Sequence, residues 1–267
     1  MLQISVNGKA LSFQTKQFSG GEEHIVLEDI TNNMESQHIK IHALIRSSSK
    51  LMQLLLLVDA IKRRFSNIVA FELELPYIPY ARQDRQCNLG EAFSLKVLAQ
   101  LINQCGFSRV YVDDPHSDVA PALLDNCVIR SQHELIMAHC NVNSSFLSFV
   151  QQAQLVSPDA GSNKKMLGVC QALHKESFIR ADKVRDTSTG RISETLVYSD
   201  SIDNSVLIVD DICDGGHTFT ALAQVLKDKG ATQVGLYVTH GIFSKGKESL
   251  IQAGIDNIFS FHDWTKF

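Results

Sequence analysis

Short apolar runs alternate with helix-patterned stretches along most of the chain, and this rhythm restricts the fold more than any other feature. "HIKIHAL" (38–44), "NIVAFEL" (67–73), "SRVYVDD" (108–114), "QLVS" (154–157), "SVLIVDD" (205–211), "TQVGLYVTH" (232–240) and "NIFSFH" (257–262) read as strands. "SSSKLMQLLLLVDAIKRRF" (47–65) opens on serines suited to capping and ends in basic residues suited to a helix C-terminus. "EAFSLKVLAQLINQCG" (91–106) is a helical pattern stopped by Gly106, and 162–174, 218–229 and 245–253 are helix-like. Strand–helix alternation with near-continuous apolar strands predicts parallel sheets covered by helices on both faces.

A chain of 267 residues suits two domains. The partly polar, helical stretch 131–152 places the boundary near 140, giving domains of 1–140 and 141–267. A fold of this size needs no disulfide or metal staple. The six cysteines (87, 105, 127, 140, 170 and 213) form no CxxC pair, which suits reduced thiols in a cytosolic protein. A net charge of −4 speaks against non-specific binding to nucleic acid or anionic membranes. The start "MLQISVNGKALSF" lacks the pattern of a signal peptide, and the longest apolar run, "LLLLV" (54–58), is far short of a membrane span. A soluble, cytoplasmic protein is expected.

The most informative stretch is "VLIVDDICDGGHTFTALAQVLKDKG" (206–230). In open parallel sheets, ligands bind beyond the carboxyl ends of the strands, where Asp210 and Asp211 fall. Gly215 and Gly216 permit a tight turn and a close approach to a ligand. Thr218 and the helix that follows offer a hydroxyl, amide N–H groups and a favourable dipole to an anion. The aspartates repel that anion, so they face hydroxyls or a divalent cation. A sugar phosphate with Mg²⁺ satisfies both demands. No GxxxxGK[ST] or GxGxxG pattern is present.

"VLIVDDICDGGHT" resembles the ribose-5-phosphate loop of the type I phosphoribosyltransferase fold. "LPYIPYARQDRQ" (75–86) is similar to a signature of ribose-phosphate diphosphokinases (PRPP synthetases). "QFSGGEEHIVLEDI" (17–30), "KLMQLLLLVDAIKR", "VDDPHSD" (112–118), "VSPDAG" (156–161), "DKVRDTSTGRISE" (182–194) and "VTHGIFS" (238–244) resemble further segments of that family, in the family's order. The resemblance implies an α/β protein of two phosphoribosyltransferase-like domains, each a mainly parallel sheet flanked by helices. It implies transfer of a diphosphoryl group from ATP to ribose 5-phosphate in nucleotide biosynthesis, with Mg²⁺ as cofactor and a homo-oligomer of at least two chains.

The same resemblance assigns residues. Phe18, Gly20, Gly21 and Glu22 match the segment that holds adenine, reaching across a subunit interface; Arg82, Gln83 and Asp84 match further ATP contacts. His116 and Asp159 match Mg²⁺ contacts on ATP, with Asp114 a partner for His116. Lys183 and Arg185 match a catalytic pair on a polar, mobile loop. Asp210, Asp211, Asp214, Gly215, Gly216, His217 and Thr218 match the ribose-5-phosphate loop. Gly20, Gly215 and His217 depart from the family's usual aspartate, threonine and glycine. The sequence stops at "HDWTKF", where typical members of the family continue for a few dozen residues that help form the regulatory site, so the resemblance does not extend to regulation. Two alternatives stay open: a phosphoribosyltransferase that consumes PRPP, and a catalytically inactive relative.

Overall fold

A computed structural model describes residues 1–28, 36–185 and 192–266. The chain divides into two compact units, Met1–Arg130 and Ser131–Phe267. The first contains β1 (Leu2–Val6), β2 (Lys9–Leu11), β3 (Phe13–Gln17), β4 (Glu23–Leu27), β5 (Gln37–Ala43), α1 (Ser48–Arg64), β6 (Ile68–Leu75), α2 (Ser94–Gln104), β7 (Arg109–Asp113), α3 (Val119–Leu123) and β8 (Cys127–Arg130). Its sheet runs β2-β1-β5-β6-β7-β8. Strands β5 to β8 are parallel, and β1 pairs antiparallel with β2 and β5. Strands β3 and β4 form a separate hairpin. Helix α1 starts where the serines lead one to expect: the Lys50 amide donates to Ser47 Oγ at 3.2 Å, and Lys62, Arg63 and Arg64 fill the last turn.

One core cluster serves this unit, joining Ile39, Ile41 and Leu73 of the sheet to Leu54, Leu57 and Ile61 of α1 and to Leu95 and Leu98 of α2. The alternate residues carry a half-exposed ladder of polar groups. Lys40 Nζ lies 3.3 Å from Glu74 Oε1, His42 Nδ1 lies 3.3 Å from Glu74 Oε2, and the Tyr111 hydroxyl donates to Glu72 at 3.3 Å. Coverage on both faces, expected for every parallel strand, therefore does not describe this sheet. The in–out alternation of Ile39, Lys40, Ile41 and His42 marks a strand buried on one face only.

The second unit contains α4 (Gln132–Val142), α5 (Ser144–Gln152), β9 (Gln154–Ser157), α6 (Asn163–Ala172), β10 (Phe178–Arg185), β11 (Ile192–Val197), β12 (Val206–Cys213), α7 (His217–Asp228), β13 (Val234–Gly241), α8 (Glu248–Gln252) and β14 (Asn257–Asp263). Its sheet runs β11-β10-β9-β12-β13-β14, parallel except for the β10–β11 pair. Here both faces are covered. Ile208, Leu236 and Val238 pack with Phe219, Leu222 and Leu226 of α7. Leu207, Val209 and Tyr237 pack on the other side with Ile136, Phe146, Met166 and Val169.

The chain divides between Arg130 and Ser131, about ten residues from the boundary read near 140, and Ser131 caps a helix that belongs to the second core. Ser131 Oγ accepts from the Glu134 amide while the Glu134 carboxylate accepts from the Ser131 amide at 2.7 Å, a reciprocal capping box. Ser131→Ala is expected to cost about 1 kcal/mol, read from a urea unfolding curve with unchanged slope.

The stretch 182–194, expected to be a polar mobile loop, is largely strand where it is described. Lys183 pairs with Thr195 and Arg185 with Ile192 across an antiparallel ladder. Ile179 and Ala181 bury one side of β10, and that anchoring overrides the low strand propensity of the charged residues that follow. Residues 186–191 of the expected loop lie outside the described residues, as do residues 29–30 of the segment 17–30.

Candidate active site

The carboxyl ends of the parallel strands in the second unit gather most of the residues singled out in its sequence. Strands β9 and β12 are neighbours, with Val156 opposite Ile208. The turn after β9 and the Asp210–Asp211 end of β12 therefore share one edge. Asp159 caps a 3-10 turn, Ala160–Ser162, whose Ser162 amide donates to Oδ1 at 3.1 Å. Its other oxygen, Oδ2, accepts from Lys183 Nζ at 2.7 Å. The lysine arrives from β10, on the other side of β9. Arg185 ends that strand, and its side chain lies outside the described structure.

Asp211 is buried. Its amide donates to Asp210 Oδ1 at 2.9 Å, and Lys165 Nζ from α6 approaches its Oδ2 at 3.5 Å. Two adjacent carboxylates in a desolvated corner cannot both ionise freely. Burial raises Asp210 well above the ordinary carboxylate range, the charges of Asp211 and Asp159 push the same way, and Lys183 opposes them. Burial also acts to raise Asp159, but the hydrogen bond and charge of Lys183, with the Ser162 amide, outweigh it and hold Asp159 below that range. The corner thus holds one carboxylate tightly ionised beside another that resists ionisation. Such separation marks sites built for ligands or chemistry.

The turn after β12 is built for close approach. Gly216 has φ +79°, and a Cβ there would sit 2.8 Å from Leu250 Cδ2. Both facts require glycine. Helix α7 then begins at His217, with Thr218 in its first turn, so its leading amides face the turn. The connection after β13 is stitched to this turn. Ile242 and Phe243 amides donate to Cys213 O at 2.8 and 3.0 Å, and the Ser244 amide donates to Asp214 O at 3.2 Å. Lys245 Nζ thereby reaches His217 Nε2 at 2.8 Å.

The structure brings Asp159, Lys183, Asp210 and Asp211 into one charge network, and the Asp214–Thr218 turn continues directly from β12. The sequence reading missed Lys165 and Lys245. Nothing local marks Lys165 within "NKK"; Lys245 directly follows "VTHGIFS" (238–244), which was singled out, but it meets the turn only through the fold.

In the first unit, the predicted ATP residues lie on two separate segments and the predicted Mg²⁺ residue His116 on a third. Phe18, Gly20, Gly21 and Glu22 form the tip of the β3–β4 hairpin, closed by the Phe18 amide on Glu22 O at 2.9 Å and the Gly21 amide on Phe18 O at 2.8 Å. Phe18 is 45% exposed, a large area for an aromatic ring, with Lys16 Nζ 4.9 Å from its centroid. Arg82, Gln83 and Asp84 lie between β6 and α2, where the Gln83 amide donates to Tyr80 O at 2.8 Å and Arg85 Nε lies 3.7 Å from Asp84 Oδ1. His116 is exposed just beyond β7, two residues after buried Asp114, whose φ is +40°.

Among the described residues, no group of three or more His, Cys, Asp or Glu converges as a metal cage. Mg²⁺ delivered with phosphates does not need one, because one or two carboxylates with phosphate and water oxygens complete its octahedron. The oxygen donors of Asp159, Asp210 and Asp211 fit a metal carried in that way. Among the described residues, no helix is long and apolar enough to cross a membrane.

Comparison with known proteins agrees with this layout. Residues 4–106 match the N-terminal domain of ribose phosphate pyrophosphokinase, and residues 169–267 match the phosphoribosyl transferase domain. A ribose-phosphate pyrophosphokinase of Ralstonia nicotianae is 30% identical over 248 residues, covering 91% of this chain and 74% of that protein. One from Cereibacter sphaeroides is 31% identical over 198 residues, covering 74% of this chain, and the match spans 57% of that relative's length. The phosphoribosylpyrophosphate synthetase structure from Mycobacterium smegmatis shares the fold, with a TM-score of 0.77 and 22% identity, covering 94% of this chain and 80% of that one.

Proposed function

The chain belongs to the ribose-phosphate pyrophosphokinase family, and from that premise we propose that it transfers the β,γ-diphosphoryl group of ATP to the anomeric hydroxyl of ribose 5-phosphate, giving PRPP and AMP. The observation that carries this reading is the Lys183–Asp159 ion pair at the strand edge that also bears Asp210 and Asp211. A turn for a sugar phosphate alone would suit an enzyme that consumes PRPP. A cation on a separate strand, poised beside it, suits one that must also manage a triphosphate.

In this reading the Asp214–Thr218 turn and the amides of α7 hold the 5-phosphate, and Asp210 and Asp211 accept hydrogen bonds from the ribose hydroxyls. The anomeric hydroxyl oxygen attacks the β-phosphorus and releases its proton to solvent, the bond to the α,β-bridging oxygen breaks, and AMP leaves. Lys183 exchanges Asp159 for the arriving phosphates and, with Arg185, stabilises charge on the transferred group. When bound with the triphosphate, Mg²⁺ would supply charge neutralisation, and Asp159 would offer it an oxygen donor in the second unit; His116, the other residue assigned to Mg²⁺ by resemblance, belongs to the first unit. Phe18, Gly20, Gly21 and Glu22 hold adenine, and Arg82, Gln83 and Asp84 complete the ATP site. The exposed hairpin tip serves a neighbouring chain's ATP, so the working assembly is a homo-oligomer of at least two chains. The free thiols suit the cytoplasm.

The test is direct. Pure protein with ATP, Mg²⁺ and ribose 5-phosphate is expected to release AMP and PRPP in equal amounts, followed by chromatography. Consumption of PRPP with a base and no AMP from ATP would identify a phosphoribosyltransferase. No turnover with either substrate set would identify an inactive relative.

A further inference from the structure

The phosphate turn departs from the family pattern at Gly215 and His217, and the structure places a lysine beside both. Lys245 Nζ sits 2.8 Å from His217 Nε2. A Cβ built on Gly215 would lie 3.7 Å from His217 Cδ2 and 3.7 Å from Lys245 Cε, so both side chains run along the open side of that glycine. The backbone fixes this placement, since the Ser244 amide, one residue before the lysine, donates to Asp214 O at 3.2 Å.

We propose that Lys245 is a further binding residue of this site, contacting the 5-phosphate of the sugar together with His217. The inference rests on the ribose 5-phosphate reading above. An ammonium has donors only, so His217 Nε2 accepts and its ring proton sits on Nδ1. Among the described residues, His217 is the only hydrogen-bond or ion-pair partner of Lys245, and no carboxylate neutralises it. A neutral imidazole is a modest acceptor for a cation. A phosphate dianion in the turn offers a charged acceptor and a stronger bond, so the lysine gains by exchanging partners. Lys245 also supplies, from another loop, a cationic donor on the side where Gly215 offers no side chain. Its position favours sugars that carry a terminal phosphate over those that do not.

Calorimetric titration of ribose 5-phosphate and of ATP, separately, tests this. Lys245→Ala is expected to weaken ribose 5-phosphate about tenfold, the scale of one hydrogen bond to a charged group. ATP affinity should stay within about twofold, and Lys245→Arg should restore most of the sugar-phosphate affinity. Inorganic phosphate, as a competitor, should lose affinity in parallel. Because Lys245 is exposed, the fold should survive the change; a circular dichroism melt of each variant verifies that, and Lys245→Met serves as the second neutral variant. Unchanged ribose 5-phosphate affinity in both neutral variants overturns the proposal, as does an equal loss for ATP. If the unaltered protein makes PRPP while Lys245→Ala binds normally, the functional reading stands and the role of Lys245 falls. If the unaltered protein binds no ribose 5-phosphate, both fall.

Discussion

Lys183→Ala is expected to lower turnover by about 10²-fold or more while leaving the fold intact, the scale of losing one preorganised charge partner in a water-poor site. Lys183 Nζ is 2.7 Å from Asp159 Oδ2, and its side chain is only 13% exposed. Such a cation is largely desolvated before substrate arrives, and once it has exchanged Asp159 for the phosphates little reorganisation remains when charge develops. The strand that carries it is held by backbone pairing, with Asp182 opposite Leu196 and Lys183 opposite Thr195, which alanine keeps. The loss should therefore fall on kcat more than on thermal stability. Lys183→Arg retains the charge but changes its geometry and should fall between the two. Steady-state rates at saturating substrates, beside a melt of each variant, decide the matter. A near-normal kcat for Lys183→Ala would remove this residue from the mechanism.

Asp210→Asn should pull stability and binding in opposite directions. Burial, Asp211 and Asp159 raise the Asp210 carboxyl in the folded protein. The folded state then keeps a proton that the unfolded chain releases. Stability falls as pH rises from the ordinary carboxylate range toward the raised folded value, and the penalty is complete above it. Asparagine carries no such charge. The variant is expected to melt higher than the unaltered protein at neutral pH, with the gap closing as the pH falls to about 4. Ribose 5-phosphate affinity should drop about tenfold, the upper range for a hydrogen bond between neutral groups, while ATP affinity changes less. Melts across pH and separate calorimetric titrations measure both. A lower melting temperature at neutral pH, or equal losses for the two ligands, would contradict the assignment.

Much of this was readable from local pattern. Ser47 and the basic tail of α1 bound that helix by capping and dipole, which act within one turn. The run from Val206 to Cys213, the glycine turn and α7 follow from apolar continuity and from the conformational freedom of Gly216. Other features were hidden. Strand β10 carries its charged end because Ile179 and Ala181 anchor it beside β9, and a polar string does not announce such an anchor. The alternation in β5 was present in the letters, but the general expectation for parallel strands masked it.

The sequence alone determined the strand–helix rhythm, the two-domain α/β class and the aspartate–glycine turn, because these depend on neighbours within a few residues. Only the tertiary structure decided which charges meet. Asp159 and Lys183 stand 24 positions apart, and Lys165 and Asp211 stand 46 apart. Coulomb attraction and desolvation act through space, over a few ångströms and in proportion to burial. The fold therefore settled which aspartate is held ionised by a lysine, which resists ionisation, and which lysine lies beside the Asp214–Thr218 turn.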